Sequence, residues 1–177
     1  YAYASDDPRA EALLRRAVHS SREGGRAEYA APLLALAADL AARQDRSDEA
    51  RALLLQAGEL AGPLHARVEL EILNARLGLL PRGRFLDTAG ATDDRFGRGE
   101  PALIAAWYAY RAGAVEQARA ALDEARASGV EGSPQAESAQ LLAVELGAQA
   151  SGCWLDPPYP DLARMASCRQ LGRAGGP

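Results

Sequence analysis

The chain has 177 residues, a formal net charge of −4, and 48% hydrophobic against 25% charged residues, a globular balance with room for one domain or one elongated array. A pI near 5.3 gives no whole-chain attraction for phosphate backbones, so nucleic acid is not a default partner, and no apolar run approaches the roughly 20 residues that span a bilayer. Aromatics are only 6%, and alanine and leucine supply most of the apolar surface, which suits helix-on-helix packing and argues against sheets.

In chain order, residues 6–17 open with an acidic turn and a helical phrase in which Ala10 and Ala17 stand seven apart. A helix is predicted over 26–43. After a break at Gln44-Asp45-Arg46 the phrase returns over 47–57, with an acidic first turn, Ala-Arg-Ala, and the pair Ala50 and Ala57. Asp45 and Ser47 are expected to cap this helix by offering side-chain oxygens to its first amides. A further helix is predicted over 64–79, with Pro63 just ahead of it. Residues 81–90 are a degenerate copy of the phrase, with Gly83 and Gly90 in place of the alanines. Glycine inside a helix costs about 0.8 to 1.0 kcal/mol relative to alanine, so this copy is expected to be the least stable helix.

Then come a predicted helix over 100–112, a break at Gly113, and a clear copy over 115–125 carrying Ala118 and Ala125. Pro134 suits the first turn of a helix over 134–149. Residues 152–160, Gly-Cys-Trp-Leu-Asp-Pro-Pro-Tyr-Pro, do not read as helix, and 161–171 read as a short last one ahead of a frayed end. The small pairs 10/17, 50/57, 83/90 and 118/125 are expected to face the partner helix of each hairpin, because bulky side chains there would hold the helices apart.

Ala50 and Ala118 are 68 positions apart, twice 34. Helix pairs at that period, with Gln44-Asp45-Arg46-Ser47-Asp48-Glu49-Ala50 and Gly113-Ala114-Val115-Glu116-Gln117-Ala118 at the turns, resemble tetratricopeptide repeats. Leu54, Ala57, Leu122 and Ala125 fall on the family's core positions. The family's first-helix tryptophan and its leucine-glycine pair are absent. The resemblance implies an all-α fold of antiparallel helix-hairpin repeats stacked as a tetratricopeptide-like α-solenoid. It places a partial repeat over 1–30, repeats over 31–64, 65–98 and 99–132, and a terminal capping region over 133–177. The match is good in 31–64 and 99–132 and weak in 65–98.

It further implies a noncatalytic adaptor or scaffold that binds a protein or peptide on a concave surface lined by first helices. Arg43, Arg76 and Arg111 would recur there almost once per repeat as forks for carboxylates, beside Trp107 and Tyr110 as an aromatic anchor, so an acidic peptide is expected. The same residues have a plainer reading, with the arginines paired to Asp39 and Glu69 and the aromatics in the core. The rival function is a regulatory or sensor segment of a larger multidomain protein, since the chain opens at Tyr1 in the middle of a repeat.

No enzyme, metal or cofactor is expected. His19 and His65, the only histidines, stand far apart and read as exposed helix residues. Asp93-Asp94 has no further ligands at metal spacing, and Gly97-Arg98-Gly99 lacks the lysine and hydroxyl residue of a phosphate-binding loop. Cys153 and Cys168 either pair in an oxidising compartment or stay reduced in a reducing one; the disulfide is the expectation carried forward, and with it a periplasmic or secreted location over a cytoplasmic one.

Overall fold

A computed structural model of the chain describes residues 9–25, 29–86, 99–133 and 135–147. Among these residues there are seven α-helices and no strand, as the alanine-rich composition predicts. They fall into two compact units, one within Asp6–Gly90 and the other within Ala91–Pro177. The first holds α1 (Ala10–Glu23), α2 (Ala30–Arg43), α3 (Ser47–Leu60) and α4 (Leu64–Leu77). The second holds α5 (Glu100–Arg111), α6 (Val115–Ala127), a single 3-10 turn at Val130–Gly132, and α7 (Ala136–Glu145). No helix among the described residues is long and apolar enough to cross a membrane.

The hairpins α2–α3 and α5–α6 are built alike. Each first helix closes in a paired turn: the Asp45 amide donates to the Ala42 carbonyl and the Arg46 amide to Ala41, as the Gly113 amide donates to Tyr110 and that of Ala114 to Ala109. This is the Schellman arrangement, which places one residue in the left-handed region. That residue is Gly113 at φ 76° in one hairpin and Asp45 at φ 59°, 68 positions earlier, in the other. The expected caps are therefore corrected: α3 begins without a side-chain cap bond, and Asp45 reverses the chain. A short hairpin connection needs the left-handed residue, and aspartate is among the few side chains that tolerate it. Asp45→Gly should stabilise the chain by about 1 kcal/mol, read as a raised urea midpoint; a lowered midpoint would mean that the carboxylate holds the turn.

Beyond each turn the second helix presents the repeated small residues. Ala50, Leu54 and Ala57 on α3 are each 0% exposed, and Ala118, Leu122 and Ala125 on α6 are 0%, 2% and 0%. A methyl group at these sites lets the facing helix approach to the usual 8 to 10 Å, roughly, while the leucine fills the space between. On α1, Ala10 is buried and Ala17 half-buried. The core of the first unit gathers Ala31, Leu34, Ala38, Leu54, Ala57, Ala61 and Leu70.

The small pair 83/90 departs from expectation. No helix forms over the described part of 81–90; α4 ends at Leu77 and the chain runs on as a loop to Leu86. Two polar side chains of α4, Glu71 and Asn74, both fully buried, hold this loop. The Glu71 carboxylate accepts the backbone N–H groups of Gly83 at 2.8 Å, Phe85 at 2.9 Å and Leu86 at 3.3 Å. The Asn74 amide accepts from the Leu80 N–H at 3.0 Å and donates to the carbonyls of Leu80 and Pro81, each at 3.3 Å. Backbone amides claimed by side chains are not left for a helical ladder. Gly83 thus lies exposed in a turn, and Gly90 is outside the described residues. Phe85 is laid against α3 at Gly58, where a Cβ would stand 2.5 Å from the ring, so the mid-helix glycine makes room for the aromatic. Among the described residues the last helix of the second unit is α7, which stops at Glu145, short of the 134–149 predicted. Pro134 and everything after Gly147, including both cysteines and the 161–171 segment, lie outside the described residues.

Candidate functional site

Arg43 and Arg76 meet on one carboxylate. Asp39, one turn before Arg43 on α2, has a side chain only 9% exposed. Its Oδ2 accepts from Arg43 Nε at 3.1 Å and Nη2 at 2.7 Å, while its Oδ1 accepts from Arg76 Nη2 on α4. One nearly buried carboxylate thus holds both guanidinium groups, and turning either toward a ligand would give up its bond to that anion. Trp107 is 3% exposed, its indole N–H donates to Ser138 Oγ on α7 at 2.9 Å, and its ring meets Tyr110 edge to face with centroids 6.0 Å apart. The Tyr110 hydroxyl donates to Glu145 Oε2 at 2.8 Å. That hydrogen bond raises the phenol above its usual range, burial adds to the effect, and the nearby Arg111 charge opposes it. Arg111 itself is exposed, with no ion-pair partner among the described residues.

Positions 39 and 107 are also 68 apart, and they do corresponding jobs. Asp39 ties α2 to α4 through Arg76, and Trp107 ties α5 to α7 through Ser138. Each residue is thus a joint between a hairpin and the helix that follows it, and the Trp107 ring is buried among the protein's own helices.

An open cleft lies elsewhere in the first unit, where α1, α2 and α3 diverge to leave about 480 Å³. Glu11, Arg15, Val18, His19 and Arg22 face it from α1, a spacing of three and four that forms one helical stripe. Val18, Leu34, Ala37, Ala52 and Leu53 give it an apolar floor. Toward the start of α1 it is bounded by four charges in a ring. Arg15 Nη2 donates to Glu11 Oε1 at 2.7 Å and Glu49 Oε1 at 3.0 Å; Arg46 Nη2 donates to Glu11 Oε2 at 2.8 Å, and its Nη1 donates to Glu49 Oε2. Burial alone would push the Glu11 carboxyl up, but hydrogen bonds and charge from Arg15 and Arg46 outweigh it and hold the group below its usual range. Its tie from α1 to Arg46 in the α2–α3 turn is therefore in place at neutral pH and loosens as pH falls through the lowered value. Toward the end of α1 the rim is Arg22, exposed and without an ion-pair partner among the described residues, and His19, whose Nε2 lies 3.1 Å from Glu23.

The sequence carried a signal for this ring. Arg15 and Glu49 are 34 positions apart, half the spacing of 68 between Ala50 and Ala118, and these opposite charges lie side by side. His19 and His65 are both exposed, and no group of three metal-binding side chains gathers among the described residues. Gly99, at φ 87°, starts α5; Asp93, Asp94, Gly97 and Arg98 lie outside the described residues. Neither a protein-family model nor a curated protein nor a solved structure matches the chain.

Proposed function

We propose that the chain is a noncatalytic helical-repeat module of the tetratricopeptide type, an adaptor or scaffold that holds a segment of another protein in the cleft between α1, α2 and α3. The duplication supports the repeat reading: two hairpins 68 residues apart share the left-handed turn residue, the buried alanine-leucine-alanine face, and a joint to the following helix. Repeat modules of this kind bind through the surfaces that successive hairpins leave open. The cleft supports the binding reading, since an apolar floor framed by oriented charge is how sites of roughly 300 to 1,000 Å³ combine affinity with orientation. It replaces the surface of Arg43, Arg76, Trp107, Tyr110 and Arg111 as the seat of binding, because four of those five are already engaged in contacts within the protein.

The test is affinity capture from native lysate on the immobilised full chain, beside Ala52→Trp. Ala52 lines the cleft and is exposed, so a tryptophan there fills the cleft without entering the core. Proteins retained by the parent chain and reduced about tenfold or more by Ala52→Trp are the expected result. Enrichment that is indifferent to Ala52→Trp would overturn the assignment of the cleft.

A further inference from the structure

We infer that the cleft recognises an extended acidic peptide segment of the pattern apolar-x-acidic, the apolar side chain lying on Val18 and Leu53 and the carboxylate meeting Arg22. The inference rests on the reading of the cleft as a peptide site and adds the chemistry of the peptide. Charge decides the sign. Arg15 and Arg46 share Glu11 and Glu49 in a closed ring, two cations on two anions, so that end is neutral as it stands. His19 counts as neutral in the formal charge, and Glu23 beside it is not among the lining side chains. Arg22 is then the lining cation that no side chain among the described residues compensates, and the cleft as a whole carries one positive charge over an apolar floor.

Spacing decides the pattern. Val18 and Arg22 are four residues apart on one helix face, a rise of about 6 Å. In an extended peptide, residues two apart point to the same side and are separated by about 6.6 Å. A strand laid along α1 therefore seats an apolar side chain on Val18 and carries a carboxylate two residues on to Arg22. A helical partner brings its same-side neighbours at three and four residues, with an intervening turn of backbone that a cleft between three helices has less room to admit.

Four fluorescein-labelled, end-capped heptapeptides in a glycine-serine background test this by anisotropy on the full chain, with central Leu-Ala-Glu, Leu-Ala-Gln, Ala-Ala-Glu or Leu-Ala-Lys. Capping removes the terminal carboxylate, so only the side chain supplies the charge. Leu-Ala-Glu should bind about two- to fivefold more tightly than Leu-Ala-Gln, the range of an exposed ion pair, and Ala-Ala-Glu and Leu-Ala-Lys should both be weaker than Leu-Ala-Glu. Raising salt from about 10 mM to 500 mM should erase the glutamate advantage. Arg22→Gln, a change at an exposed site, should do the same while leaving Leu-Ala-Gln unchanged. Equal affinity for the glutamate and glutamine peptides, a difference that survives Arg22→Gln, or no binding of any peptide at millimolar concentration overturns the inference. Equal binding of both that Ala52→Trp still abolishes removes the acidic specificity and leaves the peptide site standing.

Discussion

Glu71→Ala is expected to destabilise the first unit by about 3 to 5 kcal/mol. The carboxylate is fully buried and accepts three backbone amides, those of Gly83, Phe85 and Leu86. A buried donor that loses its acceptor costs about 1 to 3 kcal/mol, and the Gly83 amide, in an exposed turn, is the one that water most readily rescues. The same loss frees Phe85 from the slot at Gly58 and opens the core cluster it packs against. Glu71→Gln should cost less, because one oxygen remains an acceptor while the new NH2 group confronts an amide. Urea unfolding reads the size. Hydrogen exchange reads the cause, since amides 83, 85 and 86 should lose protection far more than those of α2. A change below about 0.5 kcal/mol, equal to that of exposed Glu59→Ala, would mean that the loop holds without the carboxylate.

Gly99→Ala is expected to cost about 3 kcal/mol or more in the second unit, from two independent penalties. Its backbone sits at φ 87°, where a side chain is strained by about 1 to 3 kcal/mol. A Cβ built there would also stand 2.4 Å from the Ala125 carbonyl oxygen and 3.0 Å from Val130 Cβ. The first neighbour is backbone of α6, which cannot swing aside like a flexible side chain. The glycine is thus what lets the start of α5 touch the end of α6. Loss of the cooperative melt of α5–α7 by circular dichroism, with α1–α4 intact by hydrogen exchange, is the expected pattern; an unchanged melt would contradict the close approach.

What the sequence made legible was the part of the fold governed by backbone proximity. Ala50, Ala57, Ala118 and Ala125 mark helix faces where only a methyl group fits, and their spacing of seven and period of 68 need no tertiary knowledge to read. Asp45 was misread because aspartate between two helices suits both an N-cap and a left-handed turn, and the choice is made by hydrogen bonds from Asp45 and Arg46 back to α2. Residues 81–86 were misread because repeat register favours a helix there, while Glu71 and Asn74 carry no local sign that they will be buried and bind backbone. Trp107 looked like a ligand anchor because it lies on a first helix; only the placement of Ser138 on α7 reveals it as a joint. The cleft left only a faint trace in the sequence, the opposite charges Arg15 and Glu49 placed 34 positions apart.

Amide chemical-shift mapping tests the proposed peptide binding most directly, since it discriminates between the cleft and the α5 surface as its place. The ¹⁵N-labelled full chain is titrated with the capped Leu-Ala-Glu peptide, and the perturbed amides are located. Shifts centred on Val18, Arg22, Ala52, Leu53 and Gln56, absent in Ala52→Trp, are the predicted result. Shifts centred instead on Tyr110 and Arg111 would return the site to the surface first read from the sequence and contradict the cleft.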